Sequence, residues 1–405
     1  TMFGSAFLLV AILVLYRASG ALPDGATFDV RALADLELPT TTARWLFAAF
    51  FVAFAVKVPL FPLHTWLPDA HTEAPTAGSV LLAAVLLKLG AYGLVRFNLG
   101  LFPDAAHTFA TAIEILAVIG IVYGAVVAIA QTDLKRLIAY SSVSHLGFVV
   151  IGIFAFTREG MTGGILQMVN HGLSTGALFL LVGMVYERTH TRELGELGGT
   201  ATTMPLLSAA FLFTALSSLG LPGLNNFVGE FLVVTGTFAS SRVLGALAAT
   251  GVVLGAIYLL WAYQRLAQGP VPAAHASHPD LSRREVLVLA PVLALMLVLG
   301  LAPRLVLDRI QPSADRVLAG VTSSVQGSAP GRRRPRSTSA PSPRNCSSSR
   351  PASCCWVPAR TRRGPVSPPR LARRPLPSRC RPSRASSGWP TASGRCFWPT
   401  AMGSC

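Results

Sequence analysis

Cysteine is absent from the first 345 residues, and all six cysteines lie in the last part of the chain, at positions 346, 354, 355, 380, 396 and 405. No cysteine cluster of the iron–sulfur type is therefore available, and no histidines or carboxylates follow a metal-ligand spacing. The sequence also lacks a G-x-G-x-x-G dinucleotide fingerprint and a phosphate-binding P-loop. These absences predict no cofactor for this chain and no redox chemistry of its own.

Charge is also scarce, because only 13% of the residues are charged and 52% are hydrophobic. The mean hydropathy of +0.53 is too high for a soluble protein. The net charge of +16 arises in the C-terminal stretch, where 16 arginines follow Gly327 without any Lys, Asp, Glu or His. Residues 1–326 hold 18 basic and 18 acidic residues and are neutral. This distribution indicates a membrane protein, with the lipid bilayer as its surroundings and no nucleic-acid partner.

The C-terminal stretch lacks isoleucine and tyrosine, is rich in Arg, Pro, Ser and Cys, and has no helical or strand periodicity. We interpret it as the out-of-frame translation of a GC-rich gene that begins near residues 324–327. The alternative is a basic tail that binds lipid headgroups or nucleic acid. Either way, residues 321–405 are predicted to be disordered, since they cannot bury enough apolar surface to offset their ordering entropy. Resequencing across codons 320–330 distinguishes the two.

The chain opens with Thr1-Met2-Phe3 and continues directly into apolar sequence. It has no charged segment or small-residue cleavage site typical of a signal peptide. We expect an internal start.

Apolar runs near the length of a membrane span divide residues 1–320 into about nine predicted helices. This predicts an all-α polytopic transmembrane helix bundle. The predicted spans are 2–16, 45–63, 79–96, 109–130, 137–156, 163–186, 205–236, 243–263 and 286–302.

Basic residues concentrate in the connectors after the fourth, sixth and eighth spans. By the positive-inside rule these connectors face the cytoplasm, and the C-terminus faces outward. The residues are Lys135, Arg136, Arg188, Arg192, Arg265, Arg283 and Arg284.

Two spans are interrupted by proline, one at 59–62 and the other at Pro222. Broken helices are tolerated in a bilayer only where protein or a water-filled cavity satisfies the freed backbone groups, and transporters place ion sites at such breaks. An ionisable residue lies near each break: Lys57 precedes the first, and Glu230 follows the second. The sequence therefore predicts ion-pathway sites at both.

Ionisable side chains inside apolar spans are costly, roughly 2.5–3.5 kcal/mol each on insertion scales, and usually mark an ion or proton pathway. The predicted set is Lys57, Lys88, His145, His171 and Glu230. Each also has a structural interpretation, since a lysine near a helix end can extend to the interface and a histidine can simply join packed helices.

Four further ionisable residues are interpreted without a role in the pathway. Glu114 is expected near the membrane interface, and Asp133, Lys135 and Arg136 are expected in a solvated loop.

Three segments resemble the subunit M family of bacterial NADH-quinone oxidoreductase (respiratory complex I). They read KVPLFPLHTWLPDAHTEAPTAGS at 57–79, LLKLGAYG at 86–93 and DLKRLIAYSSVSHLG at 133–147. The resemblance covers roughly residues 1–320.

The resemblance implies about fourteen transmembrane helices in two inverted five-helix repeats, each with one discontinuous helix, and a chain that begins near the sixth. It implies proton-pathway roles for the five residues named above, paralogous antiporter-like membrane subunits as partners, and the bacterial inner membrane as location. The family pairs the lysine at Lys57 with a glutamate on its fifth helix, which precedes the residues of this chain. As sequenced, the chain is therefore expected not to pump protons.

Subunits of multi-subunit cation/proton antiporters resemble the chain too, and remain an alternative. They typically carry lysine at the position of Glu230, so the sequence FVGEF at 227–231 favours subunit M. Neighbouring genes would separate these alternatives.

Overall fold

The computed structural model describes residues 1–23, 25–271 and 278–327. All regular structure in these residues is helical, as predicted, apart from one isolated β-bridge between Asp133 and Glu193. The C-terminal segment from residue 328 onward, and with it most of the predicted tail, lies outside the described residues.

The helices are numbered α1 to α14 along the described ranges. They are α1 (Met2–Ala18), α2 (Val30–Ala34), α3 (Thr40–Lys57), α4 (Trp66–Glu73), α5 (Thr76–Leu99), α6 (Pro103–Ile129), α7 (Leu134–Phe154), α8 (Arg158–Thr189), α9 (Thr200–Thr203), α10 (Pro205–Ser218), α11 (Asn225–Ser240), α12 (Arg242–Ala267), α13 (Arg283–Leu301) and α14 (Arg304–Gly327).

Seven of these helices are long and apolar enough to cross a membrane, namely α1, α5, α6, α7, α8, α12 and α13. They match seven of the nine predicted spans. Of the other two predicted spans, 205–236 is split into α10 and α11. Only α3 lies within 45–63, because this helix ends at Lys57 before the prolines and α4 begins at Trp66, beyond the predicted span. The structure therefore confirms a multi-pass helix bundle with two discontinuous helices.

Local sequence sets where the central helices begin. The Asp133 carboxylate caps α7, accepting hydrogen bonds from the backbone N–H groups of Lys135 at 2.7 Å and Arg136 at 3.0 Å. Thr157 caps α8 in the same way through Gly160. The expectation of a solvated loop was wrong for Asp133 and Lys135, which are buried. Both residues are buried because the N-terminal end of α7 packs against the connector between α4 and α5. There the Lys135 ammonium donates to the Ala74 carbonyl at 2.5 Å.

Helix α7 is the centre of the bundle and is almost entirely buried between α6 and α8, while α11 packs along α8. Small residues permit the closest approaches. A Cβ added to Gly236 of α11 would lie 2.2 Å from the backbone nitrogen of Gly160 on α8. Such contacts let the backbones approach and bring side chains of neighbouring helices within hydrogen-bonding distance.

The connectors lie on two faces. On the first, here called the Lys135 face, the Arg192 guanidinium donates to the Thr72 carbonyl at 3.0 Å and lies 3.4 Å from the Asp133 carboxylate. The opposite face, here called the Arg158 face, carries α14, whose Asp315 accepts two hydrogen bonds from Arg158 at 2.9 and 3.0 Å.

Helix α14 was not foreseen from the sequence as a separate element. It continues through residue 327, so the predicted domain boundary at 320 falls inside it. Its mean hydropathy is low because it is amphipathic rather than apolar throughout, and a search for membrane-length apolar runs misses such a helix.

Candidate proton-pathway site

The break between α10 and α11 is held together by side-chain amides. Asn170 of α8 donates to the Asn225 carbonyl at 2.7 Å, and Asn225 donates back to the Asn170 carbonyl at 3.2 Å. Ser217 donates to the Asn225 side-chain oxygen at 2.5 Å. These buried contacts join α11 to α8 and to α10, and the Asn226 side-chain amide donates to the Ser218 carbonyl at 3.4 Å, a group left free at the end of α10.

Glu230 lies one and a half turns beyond this break and is buried. Its Oε1 accepts hydrogen bonds from His145 Nδ1 at 2.9 Å and from Gln167 Nε2 at 3.0 Å. The first donor comes from α7 and the second from α8, so the carboxylate lies where three helices meet. The structure thereby brings together two of the five predicted residues, His145 and Glu230.

Lys88 and His171 form a second contact. The Lys88 ammonium lies 2.6 Å from His171 Nδ1 and also donates to the carbonyl of Ala83, one turn earlier in α5. His171 is completely buried on α8, facing the π-helical part of α5 at Leu82–Leu86. The Lys88 ammonium therefore contacts a buried histidine and does not extend to the interface, in agreement with its position mid-way along the span.

The two contacts meet at their histidines. The ring centroids of His145 and His171 are 5.7 Å apart and the rings are tilted by 54°. The described residues show no hydrogen bond between the rings, and His171 Nε2 is buried without a partner. Proton transfer between the two histidines therefore needs an intermediate group.

Lys57 is not part of this cluster. Its side chain is exposed, and it forms no hydrogen bond or ion pair with the described residues. The end of α3 nevertheless packs on α5 near Lys88, because a Cβ added to Gly90 would lie 2.9 Å from the Lys57 Cβ. The pathway role of Lys57 therefore remains a prediction that rests on the family resemblance.

Tyr258 is a site residue that the sequence did not reveal. It is completely buried on α12, and its hydroxyl lies 3.1 Å from His145 Nε2, the nitrogen that faces away from Glu230. Both nitrogens of His145 are therefore occupied. An aromatic residue in an apolar span gives no sequence signal for such a role, since most such residues only pack.

His71 is also part of the surroundings of the site. It is completely buried on α4, stacks on Phe179 at 4.4 Å, and has both ring nitrogens without a partner.

A cavity of about 480 Å³ on the Lys135 face is lined by Phe179 together with Lys135, Glu187 and Arg192. The Phe179 ring that lines it also stacks on His71. Charged side chains of this face therefore lie one ring away from a buried histidine.

Glu114 differs from its expectation as well. It is buried within α6, not interfacial, and its Oε1 has no hydrogen-bond partner among the described residues. The interfacial assignment was wrong because α6 starts six residues earlier than the apolar run, at Pro103, which places Glu114 three turns inside the helix.

Chemically, the cluster is a chain of groups that can each accept and release a proton. An ammonium, two imidazoles and a carboxylate lie in sequence, and the described residues contain no group of three or more carboxylates, histidines or cysteines that could hold a metal. Buried relays of this composition belong to proton-translocating membrane proteins. The fold and the site thus define the class: a multi-pass membrane protein with discontinuous helices and a buried ionisable chain.

Comparison with known proteins identifies the family. Residues 1–255 match the family described as NADH:quinone oxidoreductase/Mrp antiporter, TM, and the chain belongs to this family.

The curated relatives include subunit M of NADH-quinone oxidoreductase from Rhodobacter capsulatus, 45% identical over 332 residues, which covers 78% of this chain and 64% of the relative. The subunit M of Mycobacterium tuberculosis is 43% identical over 326 residues, covering 79% of this chain and 59% of the relative. The chain thus spans less than two thirds of the length of these relatives.

Two solved structures are similar. A chain of respiratory complex I from Thermus thermophilus with bound NADH matches with a TM-score of 0.72 and 35% identity, covering 78% of this chain and 68% of that one. A chain of the Mrp complex from Dietzia sp. DQ12-45-1b matches with a TM-score of 0.69 and 22% identity, covering 80% and 67%. At 22% identity the second similarity shows the fold alone.

Proposed function

We propose that this chain is a proton-translocating membrane subunit of an NADH-quinone oxidoreductase in a bacterial inner membrane, next to other antiporter-like subunits. The complex would couple electron transfer from NADH to quinone with proton transfer through Lys88, His171, His145 and Glu230, with Lys57 at the lysine end. The observation that carries this proposal is a pair of side-chain contacts, Lys88 with His171 and His145 with Glu230. The two histidine rings bring these contacts together, with ring centroids 5.7 Å apart.

Proton transfer along the series requires each donor to face an acceptor. When the Lys88 ammonium gives a proton to His171 Nδ1 at 2.6 Å, His171 releases the proton on Nε2. His145 gives its Nδ1 proton to Glu230 at 2.9 Å and takes up another at Nε2, where the Tyr258 hydroxyl lies at 3.1 Å. The transfer from His171 to His145 therefore passes through the Tyr258 hydroxyl, with water completing the path.

Two features at the ends of the series support the proposal. The cavity on the Lys135 face is lined by Phe179, whose ring stacks on the buried His71. At the other end, Glu230 Oε2 lies near Gly220 of the break, since a Cβ added to Gly220 would be 2.9 Å from it. Breaks of this kind tolerate water, because the backbone groups are no longer paired within a helix.

The carboxylate at position 230 favours the NADH-quinone oxidoreductase over a stand-alone cation/proton antiporter. The curated relatives at 43–45% identity are subunit M proteins, while the Mrp chain shares 22%. The full gene that encodes this chain, introduced into a bacterium without subunit M, should restore acidification driven by NADH. Restoration of sodium-driven antiport without NADH-driven acidification would support the antiporter function and contradict the proposal.

A further inference from the structure

A cavity of about 540 Å³ lies on the Arg158 face, where α14 passes the connection between α5 and α6. None of the residues that line it belongs to the proton pathway. Its walls combine basic, hydroxyl and apolar side chains, chiefly Arg96, Arg316, Ser313, Leu99 and Val317.

The positive charge of this cavity is not compensated. Arg96 forms no hydrogen bond or ion pair with the described residues, and its side chain is exposed. Arg316 bonds only within its own helix, to the Pro312 carbonyl at 3.1 Å and the Ser313 hydroxyl at 3.2 Å. The described lining contains no carboxylate, so two guanidinium groups are free to bind one anion.

The cavity is open because two glycines line it. A Cβ added to Gly100 or to Gly320 would meet no atom within 4 Å. Gly100 follows α5 directly, and Pro103 begins α6, so the cavity lies where two apolar spans end. In a membrane protein this level is the boundary between the hydrocarbon and the headgroups.

Helix α14 has the character of a helix that lies along this boundary. Ala314 is fully buried and Leu318 nearly so, whereas Arg309 and Arg316, together with Asp308, are exposed. An amphipathic helix of this kind lies at membrane surfaces, where its exposed arginines attract anionic lipids.

We propose that this cavity binds the phosphate group of an anionic phospholipid, with the fork-shaped guanidinium groups of Arg96 and Arg316 as its ligands and the Ser313 hydroxyl as an additional donor. Free phosphate offers the same oxygens, but the apolar walls formed by Leu99 and Val317 and the position at the end of two spans fit a lipid, whose acyl chains can continue along the exposed helices.

The test uses the assembled complex, purified and depleted of lipid, and titrated in detergent with phosphatidylglycerol while native mass spectrometry counts bound lipid. The double variant Arg96→Gln with Arg316→Gln should weaken binding at least about tenfold, since two charge-assisted contacts are lost. Arg309→Gln, on the same helix but outside the cavity, should bind as the parent does. Gly320→Leu, which fills the cavity without changing charge, should also weaken binding.

Phosphatidylcholine and inorganic phosphate are the comparison ligands. Weak binding of both, beside tight binding of phosphatidylglycerol, is the expected result. Binding of phosphatidylglycerol that is unchanged in the double variant overturns the proposal, as does inorganic phosphate that displaces phosphatidylglycerol at equal concentration. The readout is lipid binding and not NADH-driven pumping, so a failure of this proposal is distinguishable from a failure of the proposed function.

Discussion

Glu230 depends on other helices for its position, because both hydrogen bonds that its Oε1 accepts come from α7 and α8. The same is true of Lys88, whose partner His171 belongs to α8. Each ionisable side chain is therefore paired with a group from a different helix, and small relative movements of the helices change the distances along which protons pass.

The role of Glu230 can be tested by a substitution that removes only its ability to release a proton. Glu230→Gln keeps the shape and one hydrogen-bonding oxygen but cannot release a proton, so NADH-driven acidification of inverted vesicles should fall by roughly tenfold or more, the size of a lost proton-transfer group. Glu230→Asp, with a shorter carboxylate, should be milder. The exposed Glu159 supplies the control, Glu159→Gln, which should pump normally. Equal and negligible effects of both changes at position 230 would return Glu230 to a structural role.

Tyr258 can be tested in a similar way. Tyr258→Phe keeps the buried ring and removes the hydroxyl that faces His145 Nε2, which leaves that nitrogen unpaired at a cost of roughly 1–3 kcal/mol. We expect a normally assembled complex with several-fold slower pumping and an altered pH profile, because His145 loses the partner of one protonation site. Tyr263→Phe on the same helix is the control. A pH profile identical to that of the parent would limit Tyr258 to packing.

At the scale of secondary-structure elements, the break between α10 and α11 contains two glycines, one of which lies next to the Glu230 carboxylate. Gly220 and Gly223 both adopt left-handed backbone conformations, with φ of +78° and +95°. They differ in surroundings, because a Cβ on Gly220 would lie 2.9 Å from Glu230 Oε2, whereas one on Gly223 would meet nothing within 4 Å.

This difference makes a matched pair of variants. Gly220→Ala and Gly223→Ala should lose similar stability, about 1–2 kcal/mol each, from left-handed strain. Only Gly220→Ala should also displace the carboxylate and slow pumping. Thermal unfolding of the complex and vesicle acidification measure the two effects separately. Equal pumping by the two variants would show that the conformation of the break does not position Glu230.

Most elements could be predicted from the sequence, since membrane spans need long apolar runs and prolines mark the breaks. The four side-chain contacts that build the site could not be predicted, because they depend on which helices pack together. They are Lys88–His171, His145–Glu230, Gln167–Glu230 and Tyr258–His145. His145 and Glu230 are 85 residues apart and Lys88 and His171 are 83 apart, and no local pattern encodes such pairings. Gln167 and Tyr258 give no signal at all, because polar amides and aromatics are common in helix interfaces.

At the scale of the whole molecule, salt bridges join helices of the bundle on both faces. On the Lys135 face Arg188 makes a two-pronged contact with Glu285 at 2.8 and 2.9 Å, joining α8 to α13. On the Arg158 face the Arg158–Asp315 pair joins α8 to α14, but both side chains are about half exposed, so it contributes at most about 1 kcal/mol. The apolar contacts of α14 hold that helix in place instead.

The positive-inside prediction assigns a side of the membrane to each face. The basic connectors predicted to face the cytoplasm contribute Arg188 and Arg192 to one face, and α14 lies on the other. Protons would then be taken up through the cavity on the Lys135 face and released near the other face. Successive membrane spans run in opposite directions, so the whole bundle has either this orientation or the opposite one.

Lys88 gives the most direct test of the central claim that a buried relay carries protons through this subunit. In the assembled NADH-quinone oxidoreductase, Lys88→Met removes the ammonium that contacts His171 while keeping an unbranched side chain of similar length. NADH oxidation with quinone should show that the complex is assembled, and Arg242→Met, at an exposed position, should behave as the parent does. We predict that acidification of inverted vesicles per NADH oxidised falls strongly in Lys88→Met. Pumping at the parent level by the assembled Lys88→Met complex would contradict the account.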